Sequence, residues 1–195
     1  MKEIPGFTAE AKSHKPAMLP PGAYVAQIKA AKVVGVEPDQ SLIIRVDIYE
    51  GEWAGYYAKR YQRDTENSTG KYKVNYKGDY RLRIPNKENK KAMYPESDLA
   101  TFKDAIWRIQ ESNPGYHWDW NEDGLKGLFI GINIQLDSYN GYPFTKIGRL
   151  EIVDEVRSGK VKPLEPKEER GDAWEPPVDQ QSGFEVVNTD DVPFE

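Results

Sequence analysis

The sequence predicts a mainly β domain of five strands and one helix, followed by a disordered acidic tail. Five stretches alternate apolar with polar residues, as strands with one buried face require. One stretch, 97–112, instead carries apolar residues at helical spacing. After residue 156 the periodicity ends, and four prolines stand among charged residues up to 187. Such a composition buries too little apolar surface to offset chain entropy, so this part is expected to be disordered.

Turn signals bound the strands. Pro20-Pro21-Gly22 precedes the first strand, and Asn140-Gly141, a typical hairpin turn, joins the last two. In the second strand Leu42, Ile44, Val46 and Ile48 share one face, which predicts a buried side. The predicted strands are residues 23–34, 41–50, 53–63, 126–136 and 144–153, with a further short strand at 80–85.

The helix is predicted by its ends as well as its spacing. Ser97 can cap its N-terminus, Asp98 suits the first turn, and Asn113-Pro114-Gly115 ends it. A helix between the third and fourth of five strands is the element order of an OB-fold. That fold is a small barrel that binds single strands on one face and in its loops.

Composition excludes several classes of function. There is no cysteine and there are only two histidines, His14 and His117, so disulfides, cysteine-based zinc sites and two-histidine metal centres have little material. No apolar run approaches 18 residues, so no transmembrane helix is expected. We expect a cytoplasmic protein that is not an enzyme and has no catalytic residues, metal or cofactor.

Charge is distributed unevenly along the chain. Residues 158–195 contain ten acidic and four basic residues, whereas residues 56–83 contain eight basic and three acidic ones. The same basic stretch holds six of the twelve tyrosines. Opposite charges in different parts of one chain suggest a polyanionic partner for the basic part.

The predicted third strand mixes aromatic rings with cations on one face. Single-stranded nucleic acids bind such surfaces because bases stack on rings while cations follow the phosphates. The same mixture continues through residue 83. An ordinary sheet with a solvated polar face is the alternative. The predicted DNA-binding residues here are Trp53, Tyr57, Lys59, Tyr61, Arg63, Lys71, Tyr72, Lys73, Tyr76, Lys77, Arg81 and Arg83.

The fourth strand and the following hairpin add a second candidate region. An OB-fold commonly holds its ligand at this hairpin. Gly127 and Gly131 on the outward side would admit a ligand backbone or simply let the strand bend, and both interpretations stay open. The predicted DNA-binding residues of this region are Phe129, Tyr139, Tyr142 and Lys146, next to Phe144.

Two other motifs support different functions less well. Residues 119–124, DWNEDG, match the start of an EF-hand loop, but Ile130 stands where the bidentate glutamate should be. A capped acidic turn is the simpler interpretation. Asp47 and Glu50 with Lys59 resemble the acid-lysine set of metal-dependent nucleases, without the usual short spacing.

The C-terminal tip carries a specific family resemblance. Asp190, Asp191, Val192, Pro193 and Phe194 are similar to the tip of bacterial single-stranded DNA-binding proteins. The stretches LPPGAYVAQI, DYRLRIP and LKGLFIGINI resemble phage- or prophage-encoded members of that family. The resemblance implies that the tip recruits replication and recombination proteins. Glu195 departs from the family, in which the phenylalanine is the last residue.

These observations predict four parts: an arm at 1–20, an OB-fold at 21–156, a linker at 157–187 and the tip at 188–195. The predicted function is sequence-independent binding and protection of single-stranded DNA during phage replication, recombination or repair. A protein-interaction module and, less favoured, a metal-dependent nuclease are the alternatives. No membrane association is expected. Because bacterial members of the family assemble, a homo-oligomer is left open.

Overall fold

The computed structural model describes residues 18–89 and 95–167. They form one antiparallel five-stranded sheet with the strand order β3-β2-β1-β4-β5. A helix, α2, lies between β3 and β4 in sequence, as predicted. The strands are β1 Gly22–Val36, β2 Asp39–Ile48, β3 Asp79–Arg83, β4 Phe129–Tyr139 and β5 Tyr142–Glu151; the helices are α1 Tyr56–Glu66, α2 Pro95–Ser112, the 3-10 turn Glu122–Leu125 and α3 Val153–Arg157.

The apolar core lies on one face of the sheet, where the alternating pattern placed it. Leu42, Ile44, Val46 and Ile48 of β2 are buried there, as predicted. They pack with Ile130, Ile132 and Ile134 of β4, which occupy every second position of their strand. We call the opposite surface of the sheet the outer face. A β-bulge between Ile28 and Ala30 shifts the pairing of β1 with β2 and inserts Lys29 as an extra residue.

The predicted third strand at 53–63 is wrong, because α1 begins at Tyr56. Trp53, Tyr57 and Tyr61 recur every fourth residue, so the spacing that suggested a strand face also fits one face of a helix. The buried carboxylate of Asp47 accepts hydrogen bonds from the backbone N–H groups of Tyr57 (2.9 Å) and Ala58 (3.4 Å). These are unpaired donors of the first helical turn, so a residue of β2 caps α1 from a distance.

The predicted helix at 97–112 is confirmed as α2. It begins two residues earlier, at Pro95, so Ser97 lies inside the first turn and is not its cap. Phe102, Ala105, Ile106 and Ile109 face the core. Among the helices within residues 18–89 and 95–167, none is long and apolar enough to cross a membrane.

A five-stranded barrel was predicted, but the sheet is open, with β3 and β5 as its edges. β3 has only five residues and pairs with β2 alone, so it offers little edge for closure. Helix α2 packs against β3, β4 and β5 and thus bridges the two edges. Burial and the Asp104 carboxylate of α2 raise the pKa of Tyr80 in β3, whereas Arg108 of α2 and Arg149 of β5 oppose that rise.

A buried carboxylate joins α2 to the β5 side of the sheet. Glu151 is 1% exposed. It accepts hydrogen bonds from Arg108 of α2 (2.8 Å), Arg149 of β5 (2.8 Å) and the Asn133 amide of β4 (3.2 Å). Arg108 also donates to Asp104 one turn earlier, at 2.8 Å. Two arginines and an amide therefore compensate the burial of one negative charge.

Residues beyond both predicted limits of the OB-fold domain pack with the sheet. Leu19 was assigned to the arm, yet it is fully buried in the core, so the folded domain includes it. The predicted linker begins at 157, but α3 and residues 160–167 pack on the outer face of the domain, as described below. Residues 1–17 and 168–195, including the tip, lie outside the described residues.

Candidate nucleic-acid interface

A row of cations crosses the outer face of β3, β2 and β1. The register places Arg83 beside Ser41, and two residues farther along the strands it places Arg81 beside Ile43 and Ile43 beside Lys32. The next outward pair is Arg45 with Asp79. These residues share a face because the side-chain period of a strand is two. We call these cations the basic row and include Lys29, whose ammonium donates to the side chain of Gln27; the row consists of Arg83, Arg81, Lys32, Arg45 and Lys29.

The inner members of the basic row are held in place by neighbours. Arg45 forms a bidentate pair with Asp79, at 2.8 and 3.0 Å. Its guanidinium also lies 4.6 Å from the centre of the Tyr76 ring. Lys29 donates to the Gln27 side chain at 2.8 Å. The residues predicted from the sequence did not include Lys29, Lys32 or Arg45, although the alternation in β2 already placed Arg45 on the polar face.

The loop between α1 and β3 presents an exposed ring among cations. Tyr72 is 74% exposed, and the Lys71 ammonium lies 5.4 Å from the centre of its ring. Lys73 and Lys77 are exposed in the same loop. The combination predicted from the sequence therefore lies at the surface in this segment, where a ring with a neighbouring cation suits stacking beside a phosphate.

Two of the predicted stacking residues are core residues instead. Tyr57 is 4% exposed and Tyr76 is 7% exposed. The Tyr76 hydroxyl donates to the Val46 carbonyl at 3.1 Å, and burial raises the pKa of both tyrosines. At the end of the loop, the centre of the Tyr76 ring lies 5.8 Å from that of the Tyr61 ring of α1. Neither Tyr57 nor Tyr76 offers a ring face to a base.

The other residues predicted from 53–63 lie in different environments in and before helix α1. Trp53 and Tyr61 are half-buried against the core. Lys59 is exposed, but its ammonium donates to the Ala54 carbonyl at 2.9 Å. Arg63 pairs with Asp64 at 3.1 Å. The predicted single face of rings and cations is therefore not assembled in this segment.

The hairpin between β4 and β5 forms as predicted. Asn140 and Gly141 both have positive φ, at 47° and 75°, as a two-residue hairpin of this kind requires. Tyr142 is 76% exposed, and Lys146 pairs across the hairpin with Asp137. Ile134 pairs with Gly22 at the start of β1, so the rest of β4 and the hairpin turn project past the N-terminal end of β1. Arg83 lies near the other end of β1.

Residues 153–167, which we call the C-terminal segment, cover the outer face of β4 and β5. The side chains of Asn133 and Gln135 donate to the carbonyls of Lys162 (2.9 Å) and Glu165 (2.7 Å). The Lys167 N–H donates to the Leu136 carbonyl at 3.1 Å. The segment therefore runs beside β4 towards the hairpin.

Two glycines make room for this cover. A Cβ atom on Gly131 would lie 2.7 Å from a methyl group of Val156 in α3, and one on Gly148 would lie 2.5 Å from a methyl group of Leu164. Gly131 was expected either to admit a ligand backbone or to bend the strand. The backbone of β4 is instead approached here by the chain's own C-terminal segment.

The carboxylates considered for metal chemistry have other partners. Asp47 caps α1, and burial raises its pKa despite the hydrogen bonds from three backbone N–H groups. Glu50 pairs with Arg157 of α3. Within the described ranges no group of three or more histidine, aspartate or glutamate side chains could hold a metal ion. In the EF-hand-like stretch, Asp119 and Asn121 accept backbone N–H groups two residues later, at 3.1 Å each, as in a capped acidic turn.

Comparison with known proteins gives no assignment, since no protein-family model matches the chain and no curated protein matches it. The function is therefore argued from the surface itself. The tip residues Asp190, Asp191, Val192, Pro193 and Phe194 lie outside the described residues, so their predicted role as a partner-binding site stays a prediction.

Proposed function

We propose that this protein binds single-stranded DNA, without reading its sequence, along the basic row and the neighbouring 67–78 loop. The observation that carries the proposal is the alignment of Arg83, Arg81 and Lys32 on the outer face of the sheet, where Arg83 also lies 3.6 Å from the Asp98 carboxylate of α2. Beside the same edge strand, the loop exposes Tyr72 among lysines. Cations that follow a backbone and rings that stack on bases are the two components of sequence-tolerant single-strand binding.

The strand order supports an OB-fold as the scaffold. In that barrel β1 pairs with both β2 and β4, and closure would bring β3 beside β5. The order β3-β2-β1-β4-β5 is the order that such a barrel would have if it were opened between β3 and β5. A ligand surface centred on β2 and β3, next to the β1–β2 turn, agrees with the way this fold binds oligonucleotides. We propose that the open sheet is a variant of this fold.

The acidic residues within the basic stretch are already engaged. Asp79 is paired with Arg45, and Asp64 with Arg63. Glu66 accepts a hydrogen bond from Gln62 at 3.0 Å. Two of the three acidic residues of this stretch are therefore charge-compensated by arginines, whereas Glu66 keeps its negative charge.

The test is a titration of fluorescein-labelled oligo-dT, followed by anisotropy at several salt concentrations. We expect binding that weakens linearly in a plot of log K against log salt, with a slope of about −0.7 for each phosphate contact. A duplex of the same length should bind more weakly, because its bases are not available for stacking. Equal or tighter binding of the duplex would refute the proposal.

A charge-reversal pair locates the interface. Arg81→Glu replaces an exposed cation of the basic row, and we expect weaker oligo-dT binding with a shallower salt slope. Lys103→Glu makes the same change in charge at an exposed site on α2 and should bind like the wild type. Equal losses in both variants would show that net charge alone governs binding, and the basic row would then not be the site.

A protein-interaction role is the second candidate, favoured by an aromatic surface beside α2. Trp120 is 72% exposed and has a positive φ of 66°, which is strained for a bulky residue. Its ring stacks on Phe102, with the centroids 6.0 Å apart. Residues 95–126 carry seven acidic and three basic residues, so a partner with a cationic surface would suit it. A pull-down that survives nuclease treatment, yields one stoichiometric partner and is lost in Trp120→Ala would support this role.

A further inference from the structure

An aromatic pair on the outer face, the exposed Tyr49 and the half-buried Phe129, lies outside the core cluster. Tyr49 follows the last residue of β2, and Phe129 begins β4. Their ring centroids lie 4.8 Å apart, with the planes at 65°. Tyr49 is 52% exposed although it directly follows the buried Ile48. An edge-to-face contact of this kind holds a ring in place while one of its faces stays open.

The pair lies at the end of the basic row. Along β2, Ser41 lies beside Arg83 and Tyr49 comes eight residues later, a distance of roughly 27 Å at the rise of a strand. Between these ends lie Arg81, Arg45 and the bulged Lys29. The Asp47 carboxylate lies on the same stretch of β2, but backbone N–H groups surround it and it is buried.

Polar groups adjoin the rings. Gln27 of β1 pairs with Phe129 on one side and with Asp47 on the other. Its amide nitrogen donates to the Gly127 carbonyl at 3.2 Å, and its oxygen accepts from Lys29. The Lys29 ammonium is therefore hydrogen-bonded to Gln27, the residue that pairs with Phe129.

Beyond this pair, α3 covers the outer face. The next row of the sheet is Val25 with Gly131, where Val156 of α3 lies against Gly131. Val25 is buried although it points away from the core cluster. A chain that follows the basic row therefore reaches the aromatic pair and then meets α3.

We propose that Tyr49, supported by Phe129, is a stacking platform for a nucleobase of the bound single strand, next to a phosphate held by Lys29. This inference rests on the proposed function, because it names a base contact on the same surface. Phe129 was already a candidate from the sequence, whereas Tyr49 was not. Stacking on a ring is tolerant of sequence, so the platform accepts any of the bases.

The experiment separates base contacts from phosphate contacts. Affinities are measured for oligo-dT and for an abasic oligomer of the same length, which carries the same phosphates without bases. The variants of the full chain are Tyr49→Leu, which removes the ring but keeps an apolar side chain, and Tyr49→Phe, which keeps the ring. Trp107→Leu removes a comparably exposed ring from α2 and is the matched control. Thermal melting checks that each variant is folded.

We expect Tyr49→Leu to lose roughly 5- to 140-fold in affinity for oligo-dT and to bind the abasic oligomer as the wild type does. Tyr49→Phe and Trp107→Leu should bind oligo-dT as the wild type does. An unchanged affinity of Tyr49→Leu for oligo-dT would overturn the platform, and so would an equal loss on both oligomers. Absence of oligo-dT binding by the wild-type chain would instead overturn the proposed function, and the platform with it.

Discussion

Replacing Glu151 by glutamine should destabilise the domain more than any other single loss of charge discussed here. The carboxylate is buried and joins Arg108 of α2, Arg149 of β5 and Asn133 of β4. In Glu151→Gln, one acceptor oxygen becomes an N–H₂ donor that faces other donors. The negative charge that compensates the two arginines disappears as well.

The magnitude follows from the exposure of the partners. Breaking a buried ion pair by removing one partner costs about 3–5 kcal/mol. The Arg108 side chain is 16% exposed and keeps Asp104, while that of Arg149 is 50% exposed and can return to water. Both facts favour the lower end, about 3 kcal/mol. For a domain of this size that loss corresponds to a fall in Tm of about 6–12 °C.

Urea unfolding followed by far-UV circular dichroism measures the effect as a change in the free energy of unfolding. Asp154→Asn is the matched control, because it removes one carboxylate charge from a pair with Arg157 in which the Asp154 side chain is 90% exposed. We expect the control to change stability by less than about 0.5 kcal/mol. A loss below about 1 kcal/mol in Glu151→Gln would refute the argument that this carboxylate joins α2 to the sheet.

Four further predictions concern stability and the tail. Asp47→Ala should cost about 1–2 kcal/mol because it removes the cap of α1. Burial raises the folded-state pKa of Asp47, so protonation of Asp47 favours folding most below about pH 4. This contribution is lost as the pH rises through the folded-state pKa. Asp47→Asn should therefore make the free energy of unfolding depend less on pH in this range, as measured by urea unfolding at several pH values. A chain of residues 1–167 should unfold at the same urea concentration as the full chain. A chain of residues 1–159 should have a free energy of unfolding about 1–3 kcal/mol lower, because it lacks the hydrogen bonds to β4. Equal stability of the 1–159 and 1–167 chains would contradict the described packing. Deleting 188–195 should leave the affinity for oligo-dT unchanged or slightly higher and abolish partner binding in pull-downs, and a large loss of DNA affinity would contradict this.

Much of the sheet could be predicted because its signals are local. β2 and β4 alternate with isoleucine, leucine and valine at every second position, and the buried faces are those predicted. Asn140-Gly141 fixed the last hairpin through the backbone conformation that these two residues tolerate. The α2 pattern needed no tertiary information, since five apolar residues share its spacing, although Leu99 remains exposed.

The error at 53–63 has a specific physical source. Residues four apart lie on one face of a strand and also on one face of a helix, so Trp53, Tyr57 and Tyr61 could not distinguish the two. The cap that decides for the helix comes from Asp47, which is ten residues away from Tyr57 along the chain. Local patterns do not contain such a contact, and with it Tyr57 moves from the predicted interface into the core.

The same limit explains how the candidate surface changed. Gly131 marks a close approach to the backbone of β4, but a glycine in a sequence does not show whether a ligand or the chain itself approaches. Here α3 approaches Gly131 and Leu164 approaches Gly148, which covers the half of the outer face on β4 and β5. On β3, β2 and β1 the cations come from two parts of the chain, the adjoining strands β1 and β2 and the later strand β3. The charge count over 56–83 includes Arg81 and Arg83. Lys32 joins the same row only through the register of β1 with β2, and Lys29 through its hydrogen bond to Gln27. If single-stranded DNA binds here, variants of Lys29 and Lys32 should therefore weaken binding as Arg81→Glu does, whereas variants of Lys59 should not.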